Sequence, residues 1–122
     1  MMFTLKFNRQ QMADFQNICT MMFQFNMDQV DHICFYNYGT MMQKIQKMNF
    51  RSTFSDAKRF VLRLSPNECD NLLTLIMWSD ELLDKTPYYK AMCIQITMDI
   101  QHHQNTSSSL MDGKINNLIK SN

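Results

Sequence analysis

The chain has 122 residues, 45 % of them hydrophobic and 19 % charged, with a formal net charge of +1. That length supports one domain with a real core. The composition excludes wholesale disorder, and the near-neutral charge excludes a global pull toward nucleic acid or anionic membrane. With only 2 Gly and 2 Pro, an all-β sandwich or barrel would lack its usual turn residues, so long helices are expected. Gly39 and Gly113 stand alone, without the spacing of a phosphate-binding loop.

Phe3-Thr4-Leu5-Lys6-Phe7 alternates apolar and polar, the period of a half-buried strand. Asn8 then suits a helix cap. Met12, Phe15, Cys19, Met22 and Phe25 follow at steps of three and four, one apolar helical stripe. Asn26 or Asp28 is expected to cap a second helix, whose stripe is Val30, Cys34, Tyr38, Met41, Ile45 and Met48. Gly39 interrupts that stripe at about 1 kcal/mol relative to Ala, which suits a kink or a close helix approach. Residues 49–59 lack a stripe, and Phe50, Ser52 and Phe54 alternate as in a short extra strand before a Ser55-Asp56 turn.

Phe60-Val61-Leu62-Arg63-Leu64 reads as the second clear strand. Ser65-Pro66-Asn67-Glu68 is a capping box with proline at the first helical position, where no hydrogen bond is lost. The helix that follows carries Leu72, Leu73, Ile76, Met77 and Leu83. Thr86-Pro87 repeats the cap-then-proline signal, and Tyr89, Cys93, Ile96, Ile100 and His103 share one face of the last long helix. Residues 104–109 are polar and end in three serines, which reads as a linker to a C-terminal tail, 104–122.

The two strand-to-helix segments align without a gap at an offset of 57. Phe3, Leu5, Lys6, Phe7 and Asn8 match Phe60, Leu62, Arg63, Leu64 and Ser65, and Met12 and Phe15 match Cys69 and Leu72. The expected fold is α+β and predominantly helical. It is a duplicated β-α-α unit (β-α-α-β-α-α) whose small two-stranded sheet is covered by four helices. The single globular domain spans residues 1–103, with one repeat at about 3–48 and the other at about 60–103. A lone strand cannot satisfy its own backbone, so the two strands pair with each other or with copies across a dimer.

The four cysteines, Cys19, Cys34, Cys69 and Cys93, show no CxxC spacing and read as buried apolar residues in a reduced, cytoplasmic setting. The N-terminal segment lacks the apolar core of a signal peptide, and no apolar run is long enough to span a membrane. Abundant Met, Asn and Gln associate with AT-rich coding, so a bacterial or phage source is expected.

Candidate chemistry is sparse. Asp99, His102 and His103, with Asp28, Asp31 and His32 as further ligands, are the best metal candidates, but adjacent histidines diverge by about 100° on a helix. His32 and Cys34 point to different helix faces, and Cys93 and His103 lie too far apart along one helix for a Cys–His pair. Asp80, Glu81 and Asp84 suit an exposed helix corner better than a paired-carboxylate site. No metal, cofactor or enzymatic activity is therefore expected.

Two binding features remain. Charge is uneven, +4 over residues 1–64 and −3 over residues 65–122. The basic part includes Lys44, Lys47, Arg51, Lys58, Arg59 and Arg63 with Phe50, Phe54 and Phe60 interleaved, cations for phosphates and rings for stacking. Tyr36, Tyr38, Trp78, Tyr88 and Tyr89 are of the types that anchor protein partners. The first expectation is a non-enzymatic protein-protein interaction or assembly protein, a homodimer or a subunit bound to a protein partner. The alternative is a nucleic-acid-binding accessory protein using the basic stretch 44–63.

Overall fold

The computed structural model describes residues 2–27, 32–53 and 59–120, with side chains described for 2–27, 38–48 and 59–106. The chain is mostly helical with one small sheet. The order is β1 (Phe3–Phe7), α1 (Arg9–Asn26), α2 (His32–Thr53), β2 (Phe60–Leu64), α3 (Pro66–Trp78), α4 (Asp80–Asp84) and α5 (Pro87–Lys120).

Both alternating segments form the expected strands, and they pair with each other within one chain. The pairing is antiparallel and centred on Leu5 opposite Leu62, with Phe3 opposite Leu64 and Phe7 opposite Phe60. Each strand buries its first, third and fifth side chains and exposes the two between. Phe3, Leu5, Phe7, Phe60, Leu62 and Leu64 form the inner face of this ribbon and join the core. Burying such a side chain is worth about 1.5–3 kcal/mol, which is what lets a two-stranded sheet persist when helices cover one face.

Each strand runs directly into a capped helix. The Asn8 side chain accepts from the Gln11 backbone N–H at 2.8 Å, and the Asn8 N–H donates to Gln11 Oε1 at 2.9 Å. The Ser65 hydroxyl accepts from the Glu68 N–H at 3.2 Å, and the Ser65 N–H donates to Glu68 Oε1 at 2.8 Å, with Pro66 opening α3. α1 packs on β1, α2 and α3 on β2, and α1 and α3 on each other. α2 also packs on α3, and α5 on α1, α3 and α4. The core sits between this helical layer and the ribbon, with Phe15, Ile18, Met22, Ile45, Leu72 and Ile100 at its centre. Phe7 stacks on Phe15 at 4.9 Å between ring centroids.

The expected boundaries change in several places. α2 runs to Thr53, so Phe50 and Ser52 lie on a helix rather than on an extra strand; Phe54 lies outside the described residues. A Cβ built on Gly39 meets nothing within 4 Å, so no neighbouring helix crowds that position. Asn26 does not cap a second helix. It ends α1, fully buried, and its amide donates to the Met22 carbonyl and to Ser79 Oγ, both at 2.8 Å.

Ser79 in turn donates to the Leu75 carbonyl at 2.7 Å and separates α3 from α4, giving five helices among the described residues instead of four. Leu75, not Met77, is the buried partner of Leu72 on α3. The Thr86 hydroxyl turns back to the Leu82 carbonyl at 3.2 Å instead of capping α5; its own carbonyl accepts the first bond from Lys90 N–H. Finally, α5 continues through the serine-rich segment expected to be a linker. Gln104 still donates to Asp70 of α3 at 2.9 Å. Once a helix is nucleated each further residue adds a hydrogen bond, and polar composition alone does not stop it.

Candidate functional site

The ribbon has two unlike faces. The inner one is the apolar face already described. The outer one presents Thr4 and Lys6 from β1 and Val61 and Arg63 from β2, all exposed. Arg59, also exposed, precedes β2 in the same alternation. Thr4 lies opposite Arg63 and Lys6 opposite Val61. Lys6 is therefore a diagonal neighbour of both Arg59 and Arg63, at the roughly 7–8 Å typical of such positions.

Neither strand carries Asp or Glu, nor do the flanking positions Met2, Asn8, Arg9, Arg59 and Ser65. Among the described residues Lys6, Arg59 and Arg63 take part in no ion pair. Arg9, exposed at the start of α1, adds a cation at the end of the ribbon where Phe7 meets Phe60.

The six basic positions singled out in the sequence are not all part of this face. Arg59 and Arg63 are. Lys44 belongs to α2 and is tied to Glu68 at 3.0 Å, and Lys47 is exposed on the same helix. The side chains of Arg51 and Lys58 lie outside the described residues. Phe60 is 6 % exposed and points into the core, so it is no stacking platform; the side chains of Phe50 and Phe54 are outside the described set. Lys6 is the member that the basic stretch leaves out, because it is far away in sequence. The signal that finds it is the alignment at offset 57, where Lys6 and Arg63 occupy one column.

The Ser65–Glu68 cap is also the electrostatic tie between α2 and α3. Burial opposes the charge on Glu68, but the Ser65 N–H and the Lys44 ammonium outweigh it and hold the carboxyl below its ordinary value. Lys44 is thereby tied to α3 rather than placed on the ribbon's outer face.

The aromatic anchors divide as well. Tyr38 is 2 % exposed and is part of the core, which corrects its assignment as a partner anchor. The Tyr36 side chain lies outside the described residues. Tyr89 is half-buried against the core and meets the Tyr88 ring edge-on at 5.6 Å. The Tyr88 hydroxyl donates to Asp14 Oδ2 at 2.6 Å, and that bond raises its pKa above the ordinary value. Trp78 is partly exposed at the end of α3.

Separately, α3, α4 and α5 border an apolar groove of about 250 Å³. Its walls are Ile76, Met77, Leu83, Cys93, Ile94 and Met98, with Asp80 and Lys90 among the lining polar groups. Met77, Ile94 and Met98 are all more than half exposed.

Cys19, Cys69 and Cys93 are buried. Burial pushes the thiols of Cys69 and Cys93 up to about 11 and that of Cys19 well above its ordinary value, the reverse of what an activated nucleophile needs. Among the described residues no group of three or more His, Cys, Asp and Glu is arranged to hold a metal ion. Asp99 accepts from Gln95 at 3.0 Å, and the His103 ring packs on Phe3 at 5.2 Å. Asp80, Glu81 and Asp84 sit on the short helix α4, where Asp84 pairs with Lys90. No helix is long and apolar enough to cross a membrane among the described residues. Comparison with known proteins finds no match to any family model, any curated protein or any solved structure.

Proposed function

We propose that this chain is a non-enzymatic, nucleic-acid-binding accessory protein whose contact surface is the outer face of the β1–β2 ribbon. The observation that carries the reading is the grouping of Lys6, Arg59 and Arg63 on one uncovered face with no acidic residue in its strands. Backbone phosphates are the ligand such a face attracts, and binding through them releases counterions. The buried thiols of Cys19, Cys69 and Cys93, with their pKa values raised by burial, are poor nucleophiles and fit a reducing, cytoplasmic setting.

The reading includes the duplication. The strand register and the offset of 57 are consistent with a two-fold axis between Leu5 and Leu62. Each strand leads into a helix with a reciprocal side-chain cap. The packing of α2 on α3 and of α5 on α1 has the cross-connection that two equivalent halves would make.

Fluorescence anisotropy with labelled DNA and RNA over a salt series tests the function. Affinity is expected to fall steeply with salt, and Lys6→Ala with Arg63→Ala to lower it. Absence of binding at low salt overturns the reading.

The apolar groove favours a second reading, assembly into a homodimer. Three of its apolar walls, Met77, Ile94 and Met98, stand more than half exposed, and a second copy is the occupant that would cover them. An apolar patch that meets itself about a two-fold axis is buried on both copies at once. Light scattering should give twice the chain mass for the wild type and the single mass for Ile94→Glu. A wild-type monomer at the highest soluble concentration removes this reading.

A further inference from the structure

We infer that the ligand of the ribbon face is double-stranded DNA, entered through the major groove, and that the preferred sequence has dyad symmetry although a single chain reads it. This rests on the ribbon reading above and narrows it.

The shape of the ribbon suits a DNA duplex. Two strands lie about 4.7–4.9 Å apart, and a ribbon of that width fits the major groove of B-form DNA, about 12 Å wide and 8.5 Å deep. The major groove of an RNA duplex is too narrow and deep for side chains to read.

The outer face also lacks what a single-strand site needs. Proteins that hold single strands stack bases on aromatic rings. Every ring in the two strands, Phe3, Phe7 and Phe60, faces the core at 6–7 % exposure, and the outer face has none. What it offers instead is suited to base edges. Arg63 and Lys6 are donors for the O6 and N7 acceptors of guanine, and the methyl groups of Thr4 and Val61 suit the thymine methyl.

The outer face repeats its residue types about a centre. Thr4 corresponds to Val61 and Lys6 to Arg63 at the offset of 57, while the register sets Thr4 opposite Arg63 and Lys6 opposite Val61. A rotation about the Leu5–Leu62 centre therefore exchanges the two pairs, and each half presents a β-branched residue followed by a cation. A two-fold reading surface selects a two-fold site. The diagonal separation of Lys6 and Arg63, roughly 7–8 Å, is about two base-pair steps at the rise of 3.4 Å per strand. The two contacted guanines are thus close to the centre of the site, one on each strand.

The experiment uses the full chain and three probes of one random sequence: a DNA duplex, the corresponding single strand and an RNA duplex. A selection from a randomised DNA duplex library follows. The DNA duplex is expected to bind best, and the selected sequences to share a palindromic centre with guanines on opposite strands. On that sequence Lys6→Ala and Arg63→Ala should each weaken binding by about 10-fold or more, whereas Lys47→Ala, on α2, should change it by less than about 3-fold. Thermal melts confirm that these surface variants fold.

Preference for the single strand or the RNA duplex overturns this inference and leaves the nucleic-acid reading standing. A selected motif without dyad symmetry overturns the two-fold readout. No binding to any probe removes both.

Discussion

The segment from β1 into α1 and the segment from β2 into α3 begin alike and then diverge. Both strands bury alternate residues, and both enter a helix through a reciprocal cap. The first cap, Asn8 with Gln11, is neutral and exposed, and its helix runs unbroken over 18 residues. The second, Ser65 with Glu68, is charged, partly buried and tied to Lys44 of α2; its helix stops after 13 residues at Ser79. The same local phrase therefore builds a free-standing helix start in one half and a three-element junction in the other. Local pattern sets the start of a helix, while its length and the worth of its cap depend on what packs against it.

The largest test of this comparison is in the core. Phe15 and Leu72 sit at corresponding positions of α1 and α3 and are both buried. Phe15→Ala should cost about 3–5 kcal/mol and Leu72→Ala about 2–5 kcal/mol, read from urea midpoints. A loss under about 1 kcal/mol at either position would show that the residue does not anchor the core as its burial implies.

The caps come next. Asn8→Ala and Ser65→Ala should each cost about 1 kcal/mol, with Ser65→Ala the more damaging because it loosens Glu68 and, through it, Lys44. Equal losses in thermal melts would show that the Lys44 tie adds nothing.

The smallest effect is a pH dependence. Glu68 has its pKa lowered in the folded chain, with Ser65 N–H and Lys44 opposing the burial that would raise it. A depressed carboxyl stabilises the fold above its unfolded pKa and loses that contribution as pH falls through the folded one. The excess penalty of Ser65→Ala over Asn8→Ala should therefore shrink between neutral pH and about pH 3. An excess that persists at acid pH contradicts the electrostatic account.

Much of this was legible from residue order. Alternation marks both strands to the residue, because a half-buried ribbon demands a period of two. The Ser65-Pro66-Asn67-Glu68 phrase marks the start of α3, since each residue has its own stereochemical reason to be there. The break at Ser79 was not legible. Serine is common within helices, and its effect here comes from a buried bond to Asn26, distant in the chain. Nor was the course of α5 past Gln104, where the contact with Asp70 lies across the fold. Tyr38 looked like a binding residue by type alone, and only the packing of α2 shows that it is core. In the candidate site, Arg59 and Arg63 stood out as cations, whereas Lys6 joins them only through the pairing of distant strands.

That pairing also governs how the protein can be made. β1 leaves the ribosome long before β2 exists, and until then the apolar side of β1 has no strand beside it. Such non-local closure slows folding and leaves the nascent chain open to wrong associations. Cutting between α2 and β2 would strand each fragment with half a ribbon, so the pieces should be sticky apart and recover native structure only when mixed.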